Sequence, residues 1–194
     1  ATVSVRPRRG RRLGLSVGLF VGVLALALIA TYFWVLHRAT HQLESSRAGK
    51  DLAVRLAAAR QAQTWARWIS AEGIVAESLF SQGSALLYLG DFEEARKALN
   101  AAETMYASRG NDEGVTDCRE LLVQRLYYLG DVDGARRLAI RYLEEVPESY
   151  GEGVARLSNT LGLILTDFGD VDQAKLYFQR AADTYSDLGL RQQL

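Results

Sequence analysis

The residues with chemistry to offer are few. His37 and His41 stand four apart, which sets both imidazoles on one helix face, as a pair of metal or pigment ligands would stand. No third ligand cluster lies near them in sequence, and interfacial anchoring or plain exposure is the competing reading. Cys118 is the single cysteine. It rules out an intrachain disulfide and a cysteine-based zinc or iron–sulfur site, and it reads as a small buried apolar residue on a helix. Hydroxyls and carboxylates are present without a nucleophile elbow or a paired histidine, and no glycine-rich phosphate loop follows a strand. Strand periodicity is missing from the pattern altogether. The expectation is a protein that is not an enzyme, with no catalytic residue, no metal, no cofactor and no small-molecule substrate.

Charge narrows the partners. The 23 basic and 23 acidic residues cancel, so there is no net basic face for a phosphate backbone and nucleic acid is not an expected partner. The distribution is uneven, with Arg6, Arg8, Arg9, Arg11 and Arg12 forming a basic tail over residues 1–12. Arginine far outnumbers lysine, a compositional sign of a GC-rich bacterial genome. Only 2 prolines occur, which permits long uninterrupted helices.

Residues 13–36 carry no charge, and about 20 apolar residues suffice to cross a bilayer. Tyr32 and Trp34 sit near one end, where amphipathic rings favour the headgroup region, and His37 and Arg38 close the run. A cleaved secretory signal would share the charged start and the small residues Ala25, Ala27 and Ala30, but its apolar core is shorter. The reading is a retained transmembrane helix over 13–37, with the bilayer as a partner. The arginines before it outweigh Arg38, Arg47 and Lys50 after it. The positive-inside rule then places the N-terminus in the cytoplasm and the remainder outside a bacterial inner membrane, in the periplasm or beyond. Gly14, Gly18 and Gly22 share one face of this helix, where missing side chains let a second helix approach, from another copy or another subunit.

The soluble part repeats. Tyr88-Leu89-Gly90-Asp91, Tyr128-Leu129-Gly130-Asp131 and Asp167-Phe168-Gly169-Asp170 recur at a period of about 40 residues, the mark of a stacked array. In each, the glycine is expected to end one helix in the left-handed conformation and the aspartate to cap the next. Asp91 with Glu94, and Asp170 with Gln173, have capping-box spacing. Ala95, Ala135 and Ala174 follow their joints at one fixed distance, and Glu72-Gly73, Glu113-Gly114 and Glu152-Gly153 precede each first helix.

These residues resemble tetratricopeptide repeats in a longer variant. Gly83, Leu86, Gly90, Phe92, Ala95, Leu99 and Ala102 carry the likeness in the first repeat. Gly162, Leu165, Gly169, Val171, Ala174, Phe178 and Ala181 carry it in the third. The second keeps Gly130, Ala135 and Pro147 but has Val123 where the family has a small residue. The resemblance implies an all-α solenoid of helix pairs over 73–194, behind a juxtamembrane helix and half-repeat over 38–72. It also implies a concave groove lined by first helices. The family's groove positions fall on Glu77, Phe80, Ser84 and Leu87, then on Asp117, Glu120, Gln124, Tyr127 and Tyr128, then on Arg156, Asn159, Leu163 and Thr166. The Lys and Asn clamp that some members use for a peptide carboxylate is missing. Acidic Glu77, Asp117 and Glu120 would repel such a group, while Phe80 and Tyr127 would hold an extended or helical segment; the alternative is an ordinary solvated face.

The segment over 51–70, with Trp65, Trp68 and Ile69, is expected to cap the array on its membrane side as a half-repeat; a straight continuation of the membrane helix is the alternative, and the two are not exclusive. Leu188-Gly189-Leu190 reads as the start of another first helix, so that end is expected to be covered by a partner or by further chain. The lack of an initiating Met suggests that the native start lies elsewhere. The function expected is an accessory or scaffold subunit of a membrane complex, bound to other subunits or to copies of itself. A client-binding chaperone tethered beside a translocon and a self-assembling solenoid are the alternatives.

Overall fold

A computed structural model describes the backbone of residues 10–146 and 150–189, with side chains from residue 23 onward within those spans. Arg6, Arg8, Arg9, Pro147 and Leu190 lie outside the described residues. Gly14, Gly18 and Gly22 fall where the helical backbone is described but side chains are not.

Among the described residues there are eight helices and no strand: α1 (Gly10–Ala48), α2 (Leu52–Trp68), α3 (Glu72–Leu89), α4 (Phe92–Ser108), α5 (Asp112–Tyr128), α6 (Val132–Glu145), α7 (Gly151–Asp167) and α8 (Val171–Asp187). Each packs chiefly on its neighbours in sequence, and α5 also touches α3 and α7. The chain is thus an all-α array of helix pairs. Its apolar interior is a chain of small clusters, from Ala39, Ala66 and Val75 at one end to Leu157, Leu161 and Ile164 at the other.

The turns explain the period. Gly90, Gly130 and Gly169 all take left-handed φ, at 86°, 80° and 79°. Each donates its N–H back to the helix it ends, and the following aspartate donates its own N–H five residues back, Asp91 to Leu86, Asp131 to Leu126 and Asp170 to Leu165, at 2.9–3.0 Å. Two otherwise orphaned carbonyls are satisfied at every corner. The same device closes Arg109-Gly110-Asn111 between repeats, where Asn111 N–H reaches the Tyr106 carbonyl at 3.0 Å. It also closes α2, where Ser70 takes φ 53°. Corners therefore fall about every 20 residues, twice as often as the Gly-Asp signature indicates.

Two expectations about the corners are corrected. Asp131 and Asp170 accept from the backbone N–H of Gly134 and Gln173, but the Asp91 side chain caps nothing. The third residue of that helix is the charged Glu94, which pairs with Lys97 at 2.7 Å and repels a second carboxylate. At the same position α6 has Gly134, whose absent Cβ leaves the space that the Asp131 carboxylate fills. Nor does a reciprocal capping box form, because each aspartate N–H is already spent on the preceding helix.

Helix crossings follow a trade in size. A Cβ on Gly83 would lie 2.6 Å from Leu99, and one on Gly162 would lie 2.7 Å from Phe178. The equivalent pair in the middle repeat is Val123 and Ala139, both fully buried in one cluster. Val123 fits there because its partner has shrunk, so the total volume at the crossing is kept.

The segment ahead of the repeats is a helix pair. α1 runs unbroken past residue 37 to Ala48. It buries Val35, Ala39, Leu43 and Ser46, spaced along one face, and packs against α2. Arg55 Nε donates to the Ser46 carbonyl at 2.9 Å, and Trp34 meets Trp65 edge-on at 5.6 Å. The continuation and the added helix therefore coexist as a full antiparallel pair.

Candidate partner-binding groove

The first helices α3, α5 and α7 stand side by side because each second helix folds back behind its own partner. Their aligned faces gather residues about 40 apart in sequence. At one end Glu77, Phe80, Ser84 and Asp117 line a cavity of about 340 Å³ with Arg47 and Arg55. At the other, Gln124, Tyr127, Tyr128 and Leu163 line one of about 220 Å³ with Tyr88 and Thr160. Asn159 and Thr166 are exposed on α7 outside both cavities. Leu87 lines neither of these cavities. It is 2% exposed and packs in the core with Leu86 and Leu99, and it borders a separate cavity with Tyr88, Gly90, Phe92 and Tyr128.

Ion pairs tie the acidic positions to arginines of other helices. Glu77 pairs with Arg47 of α1, and Asp117 with Arg156 of α7. Arg156 also approaches Glu120 at 3.3 Å and Glu152 at 3.8 Å. Each of these acids thus has an arginine 30 to 39 residues away, which no local pattern reveals, but the single Arg156 is shared by Asp117, Glu120 and Glu152, so acid remains in excess between α5 and α7. Arg156 is half-buried, and burial lowers its pKa, although the guanidinium stays charged. Burial raises the Glu120 carboxyl above its ordinary range, with hydrogen bonds from Thr160 and Gln124 partly offsetting it. This set acts as a brace between α5 and α7: truncating one member of such a network is costly, while the pair itself contributes little net stability.

The second cavity has the chemistry of recognition. Tyr88 and Tyr128 meet edge-on with centroids 6.3 Å apart, and Tyr127 lies 5.9 Å from Tyr128. The Tyr88 hydroxyl reaches Gln124 at 3.5 Å, and Tyr127 donates to Asp167 of the next repeat. Tyr88 and Tyr128 are each about half exposed, as is Leu163. Rigid aromatic rings beside an amide and hydroxyls suit an apolar side chain flanked by polar backbone. Tyr88 was not among the groove positions carried over from the family. Its signal was its place in the repeated Tyr-Leu-Gly-Asp signature, in phase with Tyr128.

Residues 76–108 and 155–188 match the tetratricopeptide repeat. The matched tetratricopeptide stretches cover most of α3–α4 and of α7–α8, with α5 and α6 between them. Tetratricopeptide repeats are protein-interaction modules. No curated relative matches the chain. His37 and His41 lie one turn apart on the exposed face of α1 with ring centroids 6.3 Å apart. Among the described residues no cluster of three or more His, Cys, Asp or Glu gathers as metal ligands would.

Proposed function

We propose that the chain is a single-pass membrane protein whose tetratricopeptide array serves as a scaffold or accessory subunit of a larger membrane complex. It acts by holding protein partners and not by catalysis. One observation carries this reading: α1 is a single helix with two halves of opposite character. From Val23 to Trp34 every residue is exposed, and all but Thr31 are apolar. From Val35 onward one face is built into the array. A helix long and apolar enough to cross a membrane is thus joined to the binding surface without a hinge, so the groove stands at a fixed height and angle to the bilayer. Such rigidity suits a subunit with permanent neighbours. A chaperone that must search for unfolded clients is better served by a flexible tether.

The arginine bias at the N-terminus supports a cytoplasmic start and a repeat domain across the bacterial inner membrane. The tyrosine-lined cavity is the favoured seat for a partner's apolar side chain, and Gly14, Gly18 and Gly22 are the favoured face for a second membrane helix. The test places a photo-reactive residue at Tyr128 or Leu163, with Lys175, exposed on α8 outside the tyrosine-lined cavity, as control, in cells carrying the full chain. Adducts to one or two defined proteins from the groove positions alone, present at fixed ratio after gentle detergent extraction, are expected. Adducts to the chain itself identify a homo-oligomer. Equal labelling from Lys175, or no stable ratio, refutes the scaffold.

A further inference from the structure

The two antiparallel helices at the start of the array set a level that the sequence does not. Trp34 on α1 packs on Trp65 of α2, and Trp65 in turn meets Trp68 at 6.1 Å. α2 runs back along α1, as the Arg55–Ser46 bond at its far end shows. Trp68 therefore lies about 4.5 Å further toward the N-terminal half of α1 than Trp65, level with Thr31, in the stretch of α1 where Ile29, Tyr32 and Phe33 are exposed. That is the part of α1 which buries nothing against protein. Trp68 is 76% exposed, the most exposed large apolar side chain among the described residues, and the α2–α3 corner follows it directly. Arg67 is exposed on the same last turn, and the Arg38 guanidinium lies 5.3 Å over the Trp34 ring.

We propose that the α2–α3 corner is a second membrane contact, with Trp68 seated at the boundary between lipid headgroups and acyl chains and Arg38 and Arg67 at the phosphates. The inference rests on the reading of α1 as a membrane anchor. An exposed indole in water is an expense without return, whereas an amphipathic ring at the headgroup level is favourable. The guanidiniums, Arg67 on the same turn as Trp68 and Arg38 one turn beyond Trp34, match phosphate geometry, and the acid of the adjoining corner, Glu72, already faces Arg109 at 3.7 Å. The occupant is fixed by continuity, since the surface adjoins the apolar half of α1 at the same height. Held by two points, the array cannot swivel about its stem.

The full chain in nanodiscs of phosphatidylcholine and phosphatidylglycerol, with bromine on the acyl chain near the glycerol, tests this by tryptophan quenching. The chain has 3 tryptophans, so Trp34→Phe with Trp65→Phe leaves Trp68 alone. Trp68→Phe reads the same contribution by difference while keeping the Trp34–Trp65 stack. Bromolipid is expected to quench Trp68 as strongly as Trp34, and Trp68→Phe to remove about a third or more of the total quenching. Quenching of Trp34 without Trp68 overturns the second contact and leaves the anchor standing. Quenching of neither overturns both. A Trp68 shielded from aqueous acrylamide yet untouched by bromolipid means that protein covers the corner, and it too overturns the proposal.

Discussion

The trade in size at the helix crossings can be transplanted from one repeat to another. Gly83 faces Leu99 where the middle repeat sets Val123 with Ala139. Leu99 is fully buried, so Leu99→Ala alone is expected to cost about 2–5 kcal/mol. Gly83→Val alone puts a Cβ 2.6 Å from the Leu99 side chain and 3.3 Å from its backbone nitrogen. Overpacking of this kind costs about 1–3 kcal/mol, against roughly 0.4 kcal/mol gained in helix propensity. Together the two changes exchange equal numbers of carbon atoms across the crossing, and α3 and α4 need part by only a few tenths of an ångström. The double variant should therefore lose about 2 kcal/mol or less, below the sum of about 2.6–7.6 kcal/mol, with a coupling of about 0.6 kcal/mol at the least and about 3 kcal/mol at the middle of those ranges. Urea unfolding of the detergent-solubilised chain, followed by far-UV circular dichroism, reads this as a recovered midpoint at unchanged slope. If the two effects add to within about 0.5 kcal/mol, the crossings are not set by paired volumes.

Three further outcomes follow from the same geometry. Asp131→Ala should cost about 1 kcal/mol through its lost cap, while Asp91→Ala, whose side chain caps nothing, should stay within about 0.3 kcal/mol of wild type; equal losses in thermal unfolding would contradict the assignment. Ser70→Gly should stabilise by about 0.5–1 kcal/mol, because Ser70 sits at φ 53°, a region where a Cβ is penalised. A midpoint that falls would mean the corner relaxes in solution. Burial holds the Glu120 pKa up, so folding favours its protonated form. That stabilisation is full below the unfolded pKa, about 4.3, and is lost as pH rises through the folded value. Urea midpoints of the wild type should fall across that window, and Glu120→Gln should flatten the fall; an unaltered slope assigns the titration elsewhere.

Much of this was legible early. The Gly-Asp spacing revealed both the fold and the left-handed corners, because a corner is local: six consecutive residues contain all its hydrogen bonds. Gly110-Asn111 and Ser70-Ala71 use the same bonds and escaped notice, since asparagine caps as aspartate does and serine gives no glycine signal. The groove was legible only as positions. Tyr127, Tyr128 and Leu163 stand at a cavity, whereas Leu87 is 2% exposed and belongs chiefly to the core, since a helix position shared across repeats does not by itself fix exposure.

What the sequence by itself determined is what depends on near neighbours: the helices, their corners, their alternating direction and the apolar run of α1. Only the tertiary structure decided which charges pair, why Val123 is tolerated, that α1 is also the first helix of the array, and that Trp68 stands level with Thr31. Each of these joins residues 16 to 39 apart along the chain, brought together by the register of one helix on another. That register is set by the packing of whole faces, which no short stretch of sequence contains.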